Sequence, residues 1–363
     1  MKKVAINTLH QNIRQLVQQV QSNLYTVINT TVTEAYFHTG RLIVEHEQLG
    51  EKRAIYAKET LVKLSVKLIK EFGKGYSVDN LENMRNFYLA YKIDYANFHK
   101  NQISETLSRK SSTIKKSETV SRKLALSPFK LTWSHYLHLM RIENLMERSF
   151  YEIECSNGVW SVRELKRQYN TSLYERLALS RNKKKVKELS KKGLVISKAA
   201  DAIKDPLILE FLDLAQRDFY SENDLENAII DKLEDFLNEL GKGFLFVARQ
   251  FNIRLDNDNF KIDLVFYHRM LRCFVLIDLK IGSLQHKDLG QMQMYVNYYD
   301  REVKEKDENK TIGIVLCKDK KESVVKYTLP RGNKQIFASK YKMYLPEKDD
   351  LLKLMEPEAP YNI

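Results

Sequence analysis

The sequence is short of cysteine, glycine and proline, and it contains no long apolar run. Its three cysteines, Cys155, Cys273 and Cys317, lie far apart and form no C-x-x-C pair. That excludes a zinc ribbon and a disulfide scaffold, and it suits a reducing cytoplasm. Cys273 and Cys317 fall inside predicted strands, where a thiol behaves as a small apolar side chain. Only 12 Gly and 6 Pro exclude collagenous and low-complexity classes. No segment is long and apolar enough to cross a bilayer, so no membrane association is expected. Lys2 and Lys3 precede a Gln- and Asn-rich stretch from Asn7 to Gln21 rather than an apolar signal core. Acidic charge is in deficit: 60 Lys and Arg face 47 Asp and Glu, for a net charge of +13. Such a balance favours a polyanionic partner, nucleic acid first.

What is present is patterned apolar residues, 43% of a 363-residue chain, enough for two domains with proper cores. Residues from about 8 to 100 show helical spacing. Leu9, Ile13, Leu16, Val17 and Val20 mark one helix, Ala35 to Glu47 a second, and Thr60 to Phe72 a third. Gly73-Lys74-Gly75-Tyr76-Ser77 then makes a turn, with Ser77 placed to cap a polar helix from Val78 to Tyr91. Helix, glycine turn and polar helix form a candidate helix-turn-helix, with Lys74 and Arg85 as candidate nucleic-acid contacts. An ordinary αα-hairpin is the alternative.

Between Lys100 and Lys123 the apolar period disappears among Ser, Thr and basic residues, which predicts a mobile loop. Pattern resumes at Leu131 and continues to Ala178, with Trp133 and Trp160 as core anchors. Ser161 and Glu164 are spaced for a capping box. His135 and His138 lack the companions of a metal site. Arg181 to Lys192 is almost continuously basic. Lys183, Lys184, Lys185 and Lys187 in that run are candidate DNA-backbone contacts, a solvated linker being the alternative.

From Asp205 the texture changes. Asp205-Pro206 predicts a helix start, and Ser221-Glu222-Asn223-Asp224 opens another helix whose apolar stripe runs from Leu225 to Leu240. Strands are predicted over Phe244 to Leu255, Phe260 to Tyr267 and Leu271 to Lys280. A helix from about Asp288 to Asp300 follows, then a strand from Thr311 to Cys317, a short helix and a last strand from Gln335 to Ser339. This order implies a mixed central sheet flanked by helices. The expected organisation is a mainly helical DNA-binding domain over residues 1–180, of winged-helix or plainly helical type. A basic linker over 181–200, an α/β domain over 201–346 and a charged tail over 347–363 follow it.

Two of those strands carry an acid inside an apolar run: Asp263 within Lys261 to Val265, and Asp278 within Val275 to Lys280. Residues i and i+2 share a strand face, so Asp278 and Lys280 point the same way. Two carboxylates and an ammonium converging on neighbouring strands are costly unless something uses them. A hard divalent cation is the simplest use, because Mg²⁺ takes one or two carboxylates and completes its shell with water and phosphate oxygens. The pattern points to a metal-dependent enzyme acting on a phosphodiester.

An acid on the second strand and an acid-x-Lys on the third resemble the PD-(D/E)xK nuclease superfamily, the restriction-endonuclease-like fold. Asp263 matches the first acid and Asp278-Leu279-Lys280 the second half, with Ile262 standing where proline is common. Gln291-x-x-x-Tyr295 on the next helix resembles the element that, in the RecB-like branch, lies along the DNA backbone. Semi-buried packing on the sheet is the alternative. Glu226 resembles the glutamate that completes the metal site, with Glu222 and Glu234 as alternatives. Longer segments, among them Leu225 to Ile230, Glu239 to Phe244, Ile262 to Tyr267, Phe72 to Ser77 and Trp160 to Leu165, are similar to one bacterial family, the YhcG-type PDDEXK nuclease proteins. The resemblance covers nearly the whole chain.

It implies an N-terminal helical DNA-binding region and a C-terminal nuclease domain. It also implies Mg²⁺, with Mn²⁺ able to substitute, held by Asp263 and Asp278 together with Glu226 and the backbone carbonyl of Leu279. Lys280 would orient water or neutralise charge on the phosphate. The expected activity is endonucleolytic hydrolysis of DNA in the cytoplasm, in defence against foreign DNA or in recombination and repair. A non-cleaving DNA-binding or scaffolding protein and an RNA nuclease are the alternatives, and a homodimer or a partner protein is left open.

Overall fold

The computed structural model describes residues 2–49, 54–108, 127–179, 183–214 and 219–345. The chain groups into two compact units, Met1–Val162 and Arg163–Ile363.

The described part of the first unit is helical: α1 (Lys2–Leu49), α2 (Ala54–Phe72), α3 (Val78–Ser108), α4 (Trp133–Leu139) and α5 (Leu145–Gly158). No strand occurs among its described residues, so the wing of a winged helix is not found there. The two helices expected before residue 50 are one, because neither Gly nor Pro occurs before Gly40 to end it. Gly40 permits the close approach of α1 and α3: a Cβ there would lie 2.0 Å from the Met84 carbonyl oxygen. Around this crossing Phe37, Phe87, Phe129 and Tyr136 make an aromatic core, with Phe87 and Phe129 ring centres 4.9 Å apart. The N-terminal half of α1 differs. Ile13, Val17, Val20, Leu24 and Val27, spaced by four and three residues in alternation, are all exposed.

Ser77 caps α3 as expected, its hydroxyl accepting from Asn80 N at 3.3 Å. The helix then runs to Ser108, so the first residues of the predicted loop from Lys100 are helical. The rest of that loop, 109–123, lies outside the described residues.

The second unit begins inside α6 (Val162–Asn170) and continues through α7 (Leu173–Leu179), α8 (Lys183–Lys192) and α9 (Ala199–Ala202). Then come β1 (Leu207–Ile208), α10 (Glu222–Asp231), α11 (Leu233–Leu240), β2 (Phe244–Leu255), β3 (Asp258–His268) and β4 (Cys273–Ser283). The last elements are α12 (His286–Tyr298), β5 (Ile312–Asp319), α13 (Glu322–Thr328) and β6 (Ile336–Lys342). The strands form one six-stranded sheet in the order β1-β6-β5-β4-β3-β2. β2, β3 and β4 are antiparallel, whereas β4, β5, β6 and β1 are parallel. Leu264, Phe266, Val275 and Ile277 join Leu225, Ile229 and Phe236 in one core. Val265, Leu276 and Val315 join Leu289, Met292, Tyr295 and Val296 in the other. The two-residue alternation of the strands thus feeds two helical layers.

Two expectations change. Asp205-Pro206 does not open a helix; its peptide is cis and the chain enters β1, where pairing of Leu207 with Tyr341 overrides the local capping signal. The long helix expected from Ser221 to Leu240 breaks at Lys232, which has φ −114° and ψ 36°. Residues 163–179 group with the second unit. Glu239, fully buried, holds that segment: Arg176 Nη1 lies 2.8 Å from one carboxylate oxygen and Arg167 Nη2 3.2 Å from the other. Burial alone would raise the Glu239 carboxyl, but Arg176, Lys204 and Arg167 bring it down to about 2. No described helix is long and apolar enough to cross a membrane.

Candidate active site

Strands β3 and β4 bring the two acids together. Leu264 pairs with Ile277 in the antiparallel register, which sets Asp263 opposite Asp278. Asp263 Oδ2 accepts the Leu279 N–H at 2.7 Å. Asp278 and Lys280 share a strand face, and Lys280 Nζ lies 2.8 Å from Asp278 Oδ2. The same ammonium sits 3.5 Å from Glu222 Oε2 and donates to the Leu279 carbonyl at 3.0 Å.

Helix α10 supplies the further carboxylates. It starts at a capping box in which Ser221 Oγ accepts from Asp224 N at 3.1 Å and Asp224 accepts from Ser221 N at 2.8 Å. This start puts Glu222 in the first turn and Glu226 one turn on. Glu222 stays largely exposed, whereas the Glu226 side chain is only 3% exposed. Glu226 meets Arg249 Nε at 3.3 Å and accepts from the Gln250 amide. Gln250 Nε2 also reaches Asp263 Oδ1 at 3.5 Å. Glu234, on α11, is exposed.

The electrostatics follow from burial. Desolvation pushes the Asp278 carboxyl up to about 6, against the pull of Lys280 and with the help of Asp263. Asp263 is also raised, by burial first, although the Leu279 N–H opposes this. Burial alone would lower the Lys280 ammonium, but Asp278 and Glu222 carry it up to about 12. The Lys280 ammonium is thereby held in its charged form at neutral pH.

Among the described residues, no group of three or more His, Cys, Asp or Glu side chains is gathered tightly enough to hold a metal ion. The donor chemistry nevertheless fits a hard cation. All the candidate ligands are oxygens, and the buried Glu226 Oε1 and Asp278 Oδ2 already face positive charge, Arg249 Nε at 3.3 Å and Lys280 Nζ at 2.8 Å.

Helix α12 braces this arrangement. Tyr295 is fully buried, and its hydroxyl donates to the Lys261 carbonyl at 2.8 Å, two residues before Asp263. Gln291, half-buried one turn earlier, donates to that hydroxyl. The candidate nucleic-acid contacts are dispersed. Lys74 is exposed, but Arg85 is paired with Glu47 at 2.8 Å. Asn80, on the same helix, accepts from the Trp133 indole N–H at 3.0 Å. Lys187 is exposed on α8, and the side chains of Lys183, Lys184 and Lys185 lie outside those described.

Sequence reasoning missed Arg249 and Gln250. Their one signal is a pair of consecutive polar residues that ends the apolar run Phe244 to Ala248. β2 changes register between Phe246 and Ala248, just before them.

A mixed sheet whose adjacent antiparallel strands present two acids and a lysine, with a buried glutamate from the preceding helix, defines an α/β domain of the PD-(D/E)xK nuclease class. Residues 200–355 match the YhcG PDDEXK nuclease domain, and residues 12–176 match the DUF1016 N-terminal domain. An Escherichia coli (strain K12) protein named "Putative nuclease YhcG" is 38% identical over 347 residues, spanning 94% of this chain and 92% of that one. The chain belongs to the YhcG PDDEXK nuclease family. Among solved structures, a repair endonuclease from Pyrococcus abyssi aligns with a TM-score of 0.24 at 18% identity, over 35% of this chain and 49% of that one. An EndoMS–dsDNA2 complex aligns with a TM-score of 0.24 at 13% identity, over 34% and 46%. The chain thus spans about half the length of those structures, an overlap too partial to bear on function.

Proposed function

We propose that this protein is a Mg²⁺-dependent endonuclease that hydrolyses phosphodiester bonds of DNA, with Mn²⁺ able to substitute. The observation that carries the reading is the opposition of Asp263 and Asp278 on β3 and β4, both held above the usual carboxylate range, beside a charged Lys280. Asp263 and Asp278 would hold the cation, with Glu226 and the Leu279 carbonyl as further oxygens. When bound, Mg²⁺ supplies positive charge for the phosphate oxygens and acidifies water. Lys280 neutralises charge that grows on the phosphate, because its ammonium stays protonated. Tyr295 and Gln291 hold α12 against β3 and so fix the strand that carries Asp263.

Lys74 and the basic run with Lys183, Lys184, Lys185 and Lys187 would contact phosphates without reading sequence. The three free, buried thiols suit the cytoplasm. Defence against foreign DNA and recombination or repair are the roles this chemistry serves. The exposed stripe on α1 supports pairing with a second copy, since its alternating four- and three-residue spacing is that of a coiled-coil seam.

The loose grouping of the acids favours a second reading, a DNA-binding protein that does not cut. Incubation with supercoiled, linear, branched and single-stranded DNA, in Mg²⁺, Mn²⁺ or EDTA, separates the two. Cleavage lost in EDTA is expected. DNA binding with no cleavage in either metal leaves the second reading.

A further inference from the structure

Gln250 combines a strained backbone with a contact to both kinds of acid. Its φ is 49°, in the left-handed region that a residue with a Cβ rarely adopts. It lies inside the 12-residue strand β2, and both neighbours keep the register: Arg249 pairs with Leu264 and Phe251 with Ile262. The strain is therefore local to one residue. Such strain persists only where the surroundings over-determine it, and it concentrates at functional sites.

What the conformation delivers is the carboxamide. Gln250 Nε2 donates to Glu226 Oε2 and reaches Asp263 Oδ1 at 3.5 Å. One amide thus ties a carboxylate on helix α10 to a carboxylate on strand β3. Its chemistry suits that place. A lysine or arginine there would neutralise the acids and compete with a cation, and an apolar side chain would leave the two anions to repel each other. A neutral N–H donor draws them together without adding a further positive charge to that of Arg249, which already meets Glu226 at 3.3 Å.

We propose that Gln250 is a positioning residue, whose amide ties Glu226 to Asp263 and so sets how the two carboxylates are presented to a divalent cation. The left-handed backbone is the strain retained for that placement. This rests on the metal-dependent reading above, but it assigns a role to a residue outside the acid-and-lysine motif.

The test uses full-length Gln250→Gly. Glycine adopts φ near 49° without strain and removes the amide. Melting temperature is measured in EDTA, and Mn²⁺ binding by titration calorimetry, with Asp278→Asn as the non-binding control. The glycine variant is expected to melt at or above the wild-type temperature and to bind Mn²⁺ at least tenfold more weakly. Its cleavage should recover towards wild type as Mn²⁺ is raised. A glycine variant that melts clearly lower or fails to fold would show that Gln250 serves the fold, and would overturn the proposal. So would Mn²⁺ binding equal to wild type. Absence of Mn²⁺ binding by the wild type itself is a different result: it removes the metal-dependent reading and the positioning role together.

Discussion

The Leu279 amide donates to Asp263 Oδ2 at 2.7 Å, from the residue between Asp278 and Lys280. This bond ties the side chain of the first acid to the backbone that carries the second acid and the lysine. The two halves of the motif are thus linked to each other as well as through the register of β3 and β4.

Asp278→Asn should reduce metal-dependent cleavage to background while DNA binding persists, because the carboxamide keeps the shape but loses the charge. The substitution should also show in stability. Burial raises the Asp278 carboxyl from 3.8 to about 6, so the folded state holds this proton more tightly than the unfolded state does. That contribution is full below the lower value and is lost as pH rises through the higher one. Over this window the metal-free wild type should lose on the order of 2 kcal/mol relative to the variant. Melting curves of both proteins in EDTA, near pH 4.5 and pH 7.5, measure the gap. A gap that does not change with pH would count against a buried, raised carboxyl at this position.

Glu239→Gln should destabilise the second unit. Arg167 and Arg176 would keep their charges, 13% and 2% exposed, beside a neutral amide. Breaking one side of a buried pair typically costs about 3–5 kcal/mol. Urea unfolding of the full chain reads this directly. A loss under about 1 kcal/mol, as for a surface pair, would mean that water reaches the cluster.

Replacing Lys183, Lys184, Lys185 and Lys187 by alanine should weaken DNA binding about equally for all sequences. Each lost phosphate contact should lower the log–log salt slope by about one unit, because fewer counterions are released. Fluorescence titrations across a salt series give the slope. If it does not change, the run is a solvated linker.

Val20→Glu combined with Leu24→Glu should convert an associated wild type into a monomer. Both residues lie on the exposed stripe of α1, at 57% and 59% exposure. The stretch from Gln15 to Thr33 has no charged residue and is rich in β-branched side chains. Such a helix is poorly stable alone in water, so it gains from a partner along its apolar seam. Sedimentation equilibrium at micromolar concentration decides the matter, and a monomeric wild type would refute the pairing.

The sequence by itself determined the α/β core and the acid-and-lysine motif. Strand alternation, the capping box at Ser221 and the apolar runs around Asp263 and Asp278 are local signals, and local signals survive in one dimension. Gly73 to Ser77 marked the turn before α3 for the same reason. Only the tertiary structure decided the rest. It buried Glu226 and left Glu222 at the surface beside Lys280, a choice set by how α10 meets the sheet. It occupied Asn80 and Arg85 with Trp133 and Glu47, partners brought near by helix crossings that leave no trace in spacing. It paired Arg167 and Arg176 with the buried Glu239, because buried guanidiniums need a carboxylate wherever the fold provides one. It also turned Gln250 towards two acids by a single left-handed residue, since a backbone kink in one strand has no periodicity to announce it.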